Sequence, residues 1–229
     1  MKFGIVIFPG SNCDHDVYYV LKDILNQEVE LLWHKETNLK NVDAIIIPGG
    51  FSYGDYLRAG AIARFSPIMN EVYEFAQNGK FVFGICNGFQ ILCESKLLPG
   101  ALLRNKNQLF ICKNVYIKTE NNDTVLTKYI PKGKALKIPI SHGEGNYYAD
   151  NQTLKEMRLN GQILFHYCDA SGIVTCDANP NGSVDNIAGV CNKRKNVFGM
   201  MPHPERAADD ELYNTDGRIF FESIIKSLS

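Results

Sequence analysis

Apolar residues in the first hundred positions fall into short, nearly unbroken runs. Phe3 to Phe8, Val29 to Trp33, Ala44 to Ile47 and Phe81 to Ile85 each read as a strand. Between them the apolar positions repeat with helical spacing. Val17, Tyr18, Val20, Leu21, Ile24 and Leu25 form one such stripe behind Ser11 and Asn12, both suited to cap a helix. Helical segments are also expected over residues 58–65, 67–77 and 87–94, with Gly79 placed to stop the second. Continuous apolar strands alternating with helices predict a mostly parallel sheet covered on both faces.

After Leu98 the pattern changes. Residues 109–118, 135–140 and 162–168 alternate in polarity, and turn-forming pieces such as Asn179-Pro180-Asn181-Gly182-Ser183 separate the later segments. These predict antiparallel strands added to the parallel core, followed by a final helix over residues 217–227. No repeat, low-complexity tract or linker divides the chain. The expected fold is α/β, with a mostly parallel central sheet flanked by helices and added antiparallel strands, in one domain over residues 1–229.

The end of the fourth strand carries the first candidate chemistry. Gly84-Ile85-Cys86-Asn87-Gly88 is a Gly-x-nucleophile-x-Gly elbow with cysteine as the nucleophile. Glycines at both ends permit a tight strand-to-helix turn that larger side chains would crowd. Such a turn lifts the sulfur to the carboxyl edge of the sheet, where open α/β folds bind ligands. It also aims the positive end of a helix at the sulfur, which favours the thiolate. The Asn87 N–H, in the first helical turn, lacks an internal partner and is available to an oxyanion.

A base is needed beside that thiol, and two segments offer one. His203 and Glu205 lie two residues apart in Met201-Pro202-His203-Pro204-Glu205-Arg206, where the prolines forbid regular helix. In extended chain both would face the same way, so the carboxylate would orient the imidazole. His142-Gly143-Glu144 has the same spacing. The residues alone leave the choice open, although the flanking prolines favour His203.

Composition narrows the setting more than the chemistry. Of 229 residues 45% are apolar and 21% charged, and the net charge is −1, so no basic field is present for nucleic acid or an anionic membrane. The N-terminal run is too short for a signal sequence, and no stretch is apolar enough to span a bilayer. Seven irregularly spaced cysteines do not form a disulfide framework, which fits a cytoplasmic chain. Neither a phosphate-binding loop nor a dinucleotide fingerprint occurs, no carboxylate set suits magnesium, and His166, Cys168 and Cys176 lack zinc spacing. No metal site is expected.

Gly-Ile-Cys-Asn-Gly-Phe-Gln at 84–90, with His203-Pro204-Glu205, resembles the triad-type glutamine amidotransferases, which have a flavodoxin-like fold. Longer strings at 8–14, 48–67, 140–149, 182–189 and 200–206 resemble a glutaminase subunit that serves a synthetase of purine biosynthesis. The likeness covers nearly the whole chain and is thinnest over 105–137 and beyond Arg206. It implies Cys86, His203 and Glu205 as the catalytic residues. It implies further that Gly49, Gly50 and Phe51 form the second oxyanion loop, that Gln90 binds glutamine, and that Gly143 and Glu144 hold the amino-acid end of the substrate.

The same resemblance implies glutamine as substrate and two partners, a large synthetase subunit and a small bridging subunit. It implies no cofactor on this chain, with ATP and magnesium used by the synthetase. Tyr53 to Arg58 is a candidate for partner or substrate contact, or for plain loop packing. Two other readings remain: a related elbow-cysteine hydrolase, and an amidotransferase-like scaffold without activity.

Overall fold

The computed structural model describes residues 1–228. In chain order the strands and helices are β1 (Lys2–Ile7), α1 (Asp14–Tyr19), β2 (Glu28–Trp33), β3 (Ala44–Ile47), α2 (Pro67–Gln77), β4 (Phe81–Ile85) and α3 (Asn87–Glu94). They continue as β5 (Ala101–Leu103), β6 (Ile111–Thr119), β7 (Ala135–His142), β8 (Asn146–Tyr148), α4 (Asn151–Leu159) and β9 (Ile163–Cys168). The last three are β10 (Ile187–Cys191), β11 (Val197–Met200) and α5 (Arg218–Leu228).

Nine strands form one sheet in the order β2-β1-β3-β4-β11-β10-β9-β6-β7. The first five in that order are parallel, and the ladders from β11 through β7 are antiparallel. This is the parallel core with added antiparallel strands that the hydrophobic pattern predicts. The parallel strands β3 and β4 are buried at every position, as strands covered on both faces must be. Phe81 stacks on Phe198 at 5.1 Å, and Phe89 on Tyr147 at 5.8 Å. Each such buried ring contributes roughly 1.5–3 kcal/mol through removal from water.

The register between β4 and β11 positions the site. Gly84 lies opposite Gly199 and Ile85 opposite Met200. Two strands adjacent in space but remote in sequence therefore end side by side, and both chains turn at the carboxyl edge of the sheet. There the Cys86 N–H donates to the Met200 carbonyl at 2.8 Å.

Several local expectations need correction. Residues 58–65 form no helix beyond a single 3-10 turn at Ala63–Phe65, because Leu57 and Gly60 are left-handed at φ 69° and 80°. Neither Ser11 nor Asn12 caps α1, since Ser11 Oγ accepts from the Phe8 N–H and Asn12 Oδ1 accepts from the Cys13 thiol. Beyond Tyr19 the same helix loosens into a π turn through Ile24. α4, capped by Asp150, and the short strands β5, β8 and β10 are additional elements. No helix is long and apolar enough to cross a membrane among the described residues.

Candidate active site

Cys86 sits between β4 and α3 at φ 50° and ψ −104°, a conformation that costs a non-glycine residue backbone energy. Its neighbours hold it there. A Cβ on Gly84 would come within 2.6 Å of the Gly88 backbone, and one on Gly88 would collide with the Ile47 carbonyl. Both elbow glycines are thus required by close packing of backbone on backbone. The Cys86 thiol donates to the Ser141 carbonyl at 3.7 Å and opens on a cavity of about 220 Å³.

His203 follows β11, and its N–H donates to the Pro139 carbonyl at 2.8 Å. Its Nδ1 lies 2.6 Å from Glu205 Oε1, with His203 only 1% and Glu205 3% exposed. The pair does not form by extended alternation. Pro204 opens a 3-10 turn through Ala207, and the Arg206 N–H closes it on the His203 carbonyl at 3.2 Å. The turn, rather than a strand, brings the carboxylate back to the ring.

Nδ1 is thereby committed to the carboxylate as donor. Nε2 is buried without a hydrogen-bond partner among the described residues, and the sulfurs of Cys86 and Cys13 lie beside the ring. Burial works against an imidazolium here. The Glu205 carboxylate, with the two sulfurs, outweighs it and raises the His203 pKa well above the ordinary histidine value.

Cys13 also packs beside the His203 ring. Gly49 leaves room for the two to meet, since a Cβ there would press on His203 Cε1 at 2.7 Å and Cys13 Sγ at 3.0 Å. The Arg206 guanidinium donates to Cys13 Sγ at 3.1 Å and to Asp16 Oδ2 at 2.9 Å. Burial pushes the Cys13 thiol up, against the lowering effect of His203. Cys13, His203 and Glu205 are the one group of ligand-type side chains within 4.8 Å of one another among the described residues. Two of them are already bonded to each other and the third to a guanidinium, the arrangement of an acid–base pair rather than a ligand shell.

The rival His142 ends β7 in a different environment. Its Nδ1 donates to Asn105 Oδ1 at 3.1 Å, and the Asn105 amide donates to the His142 carbonyl at 2.8 Å. Burial first, then His203, lowers its pKa to about 4. Glu144 turns away from it. One Glu144 oxygen accepts from the Ala59 N–H at 3.1 Å, and the other lies 3.8 Å from Arg104 Nε.

The remaining candidates converge on the cavity. Gly50, Phe51, Gln90, Gly143 and Glu144 line it with Cys86, together with Asp55, Arg104 and Phe110. The Phe51 N–H is bonded to the Gly10 carbonyl at 2.9 Å, which removes it as an oxyanion donor and leaves Gly50 as the lining glycine of that loop. Asn87 begins α3, and its side chain braces the wall by accepting from the Ser52 N–H and donating to Gln90 Oε1 at 2.9 Å. Gln90 Nε2 in turn donates to the Glu144 carbonyl at 2.6 Å. Gln90 therefore spends part of its amide on the wall itself.

The segment Tyr53–Arg58 divides its roles. Tyr53 packs inward on His34 and Ser66, Arg58 pairs with Glu94 through two bonds of 2.6 and 2.7 Å, and Asp55 faces the cavity. Sequence reasoning missed Cys13 and Asn105 as parts of this region. Cys13 lies inside a string quoted for its resemblance, which was a signal. Asn105 gave none.

An elbow cysteine at the carboxyl edge of a parallel sheet, facing a histidine held by a carboxylate, defines the class of triad glutamine amidotransferases. The family described as a CobB/CobQ-like glutamine amidotransferase domain matches residues 1–218. Among relatives, phosphoribosylformylglycinamidine synthase subunit PurQ of Acaryochloris marina is 55% identical over 228 residues, covering 100% of this chain and 97% of that protein. The same subunit of Aquifex aeolicus is 55% identical over 225 residues, covering 98% and 99%. A solved structure, PurLQS from Thermotoga maritima, superposes with a TM-score of 0.88 at 42% identity, covering 100% of this chain and 99% of that one. The chain belongs to the PurQ family of glutamine amidotransferases. A putative GMP synthase subunit from Thermoplasma acidophilum shares the fold, with a TM-score of 0.59 at 14% identity over 100% and 94% of the two chains.

Proposed function

We propose that this chain hydrolyses glutamine through Cys86, His203 and Glu205 and supplies the ammonia to phosphoribosylformylglycinamidine synthase. One observation carries the assignment. The Nδ1 of His203 is 2.6 Å from a buried carboxylate, which leaves Nε2 as the nitrogen without a partner next to an elbow thiol. That is the tautomer a general base needs.

The Cys86 thiol gives its proton to His203 Nε2, and its sulfur attacks the side-chain amide carbon of glutamine. The amide N–H of Asn87 and that of Gly50 receive the charge that develops on oxygen. The carbon–nitrogen bond breaks as the His203 imidazolium protonates the departing nitrogen, leaving ammonia and a glutamyl thioester. His203 then takes a proton from water, the hydroxide displaces sulfur, and glutamate leaves. Gln90, Gly143 and Glu144 shape the pocket that holds the rest of the substrate.

In this reading the synthetase partner, with a bridging subunit, binds ATP and magnesium and converts formylglycinamide ribonucleotide to formylglycinamidine ribonucleotide with the delivered ammonia. Delivery matters because ammonia in neutral water is mostly protonated and loses its nucleophilic lone pair. A cytoplasmic setting accords with the cysteines, which are all free among the described residues.

The test is glutamate release by the chain alone and with its synthetase partners, ATP and precursor, alongside labelling by an electrophilic glutamine analogue. The expected result is partner-dependent release and one label on Cys86, blocked by glutamine. Hydrolysis surviving in Cys86→Ala would overturn the assignment.

A further inference from the structure

The cavity beside Cys86 holds two carboxylates, and only one of them has its charge answered. Glu144 receives the Ala59 N–H at 3.1 Å and lies 3.8 Å from the Arg104 guanidinium. Asp55 receives a single weak contact, from the Asn87 amide at 3.4 Å. No Lys or Arg pairs with it among the described residues, and its half-buried carboxyl is pushed up to about 6 by burial first and then by Glu144. A carboxylate withdrawn from water without a cation is unfavourable unless something else supplies one.

The backbone fixes this carboxylate rather than letting it swing out. Tyr53, Gly54 and Asp55 are all left-handed, at φ 54°, 68° and 53°. Tyr53 anchors the turn through its hydroxyl, 2.7 Å from His34 Nδ1 and 2.8 Å from Ser66 Oγ. Asn87, the residue after the nucleophile, ties the Asp55 carboxylate to the wall that Gln90 and Glu144 continue. Asp55 thus lines the same pocket as Cys86, in contact with the side chain of the residue that follows the nucleophile.

We propose that Asp55 anchors the α-ammonium group of glutamine and so makes the site specific for an α-amino acid amide. This rests on the reading of Cys86 as the nucleophile, because that reading places the substrate in this cavity. The ammonium is the only cation glutamine carries. With its amide carbon at Cys86, its amino-acid end must lie along the pocket wall away from the elbow. Of the two carboxylates there, Asp55 is the one that no cation answers among the described residues.

The experiment compares glutamine with glutaramate, which has the same amide and carboxylate and lacks the α-amino group, using the complex with its synthetase partners. In the wild type, kcat/KM for glutamine should exceed that for glutaramate by about 100-fold. In Asp55→Asn the advantage should collapse to within a few-fold, through a rise in KM for glutamine, with glutaramate turnover unchanged. Retained glutaramate turnover reports an intact catalytic centre, so a folding defect is separated from a lost anchor. Asp55→Glu should restore part of the preference for glutamine.

An equal loss on both substrates, or an Asp55→Asn enzyme that keeps the preference, overturns the proposal. Should Asp55→Asn not assemble, the wild-type ratio and Asp55→Glu still decide: no preference in the wild type overturns it. The nucleophile assignment fails separately, if glutamine analogues do not label Cys86 in the wild-type complex.

Discussion

Two of the segments that carry a histidine followed two residues later by a glutamate lie at the elbow cysteine, and they become opposite things. At 203–205 a proline-initiated turn folds the carboxylate back onto Nδ1 at 2.6 Å. At 142–144 the strand β7 ends in a loop, Asn105 takes the Nδ1 position, and Glu144 leaves for Ala59 and Arg104. The first ring is made more basic by its partner, and the second, given an amide instead of a charge, is driven by burial down to about 4. Spacing alone decides neither outcome. What decides is the backbone path between the two residues and what else lies within reach of the ring.

The largest test of this contrast exchanges the histidines' importance. His203→Ala should lower glutamine hydrolysis by ~10⁴-fold or more, because the base and its proton relay vanish together. His142→Gln should change turnover by less than about tenfold, being a wall residue. Comparable losses from both would break the distinction.

Glu205→Gln comes next. It keeps the shape and removes the charge, so hydrolysis should fall about 10³-fold to 10⁴-fold, in line with other orienting carboxylates. The His203 pKa, followed by NMR of the imidazole, should drop on the same substitution. A ring that titrates unchanged would show that Glu205 does not set it.

A smaller effect separates the two rings in stability. His142 is depressed when folded, so the unfolded chain binds more protons between about 4 and the ordinary value of 6.5. Its contribution is fully present above that window and is lost as pH falls through it, by roughly 3 kcal/mol. His203 is raised when folded, so its contribution is present below the ordinary value and fades as pH rises through its folded pKa. Urea unfolding at a series of pH values should show that His142→Gln flattens the acidic slope only. An unaltered acidic slope would contradict the assignment.

The smallest expected change comes from Asn105→Ala. It strips the His142 ring and the Gly145 N–H of their acceptor and should cost about 2 kcal/mol, with turnover largely retained. Thermal unfolding and glutaminase assays on one preparation would measure both. A turnover loss as severe as that of His203→Ala would make the Asn105–His142 pair part of the chemistry.

Much of the parallel half was legible because its physics is local. β3, β4, α2 and α3 have the bounds their apolar runs and helical stripes predict. Gly79 ends α2 from a left-handed φ of 78°, as its position implied. The elbow was legible for the same reason, since a strand, a turn and a helix in sequence contain it. α4 was not, because only Leu154 and Met157 of it are buried and the remaining positions carry no stripe strong enough to stand out. The Nδ1 partners of the two histidines differ in the same way. Glu205 is reached through the local turn, whereas Asn105 is brought to His142 by the tertiary fold across 37 residues, and sequence spacing says nothing about such a meeting. Asp55 stood within a segment marked for its aromatics, and only the cavity distinguishes it from its neighbours.

The register of β11 between β4 and β10 has a consequence for synthesis of the chain. The strand that completes the centre of the sheet is made after every other strand in it, yet it must pair with β4, made more than a hundred residues earlier. Contacts so distant in sequence form late, after the loop-closure entropy has been met. A nascent chain therefore carries its elbow thiol with no His203 imidazole beside it until the segment after β11 has been made.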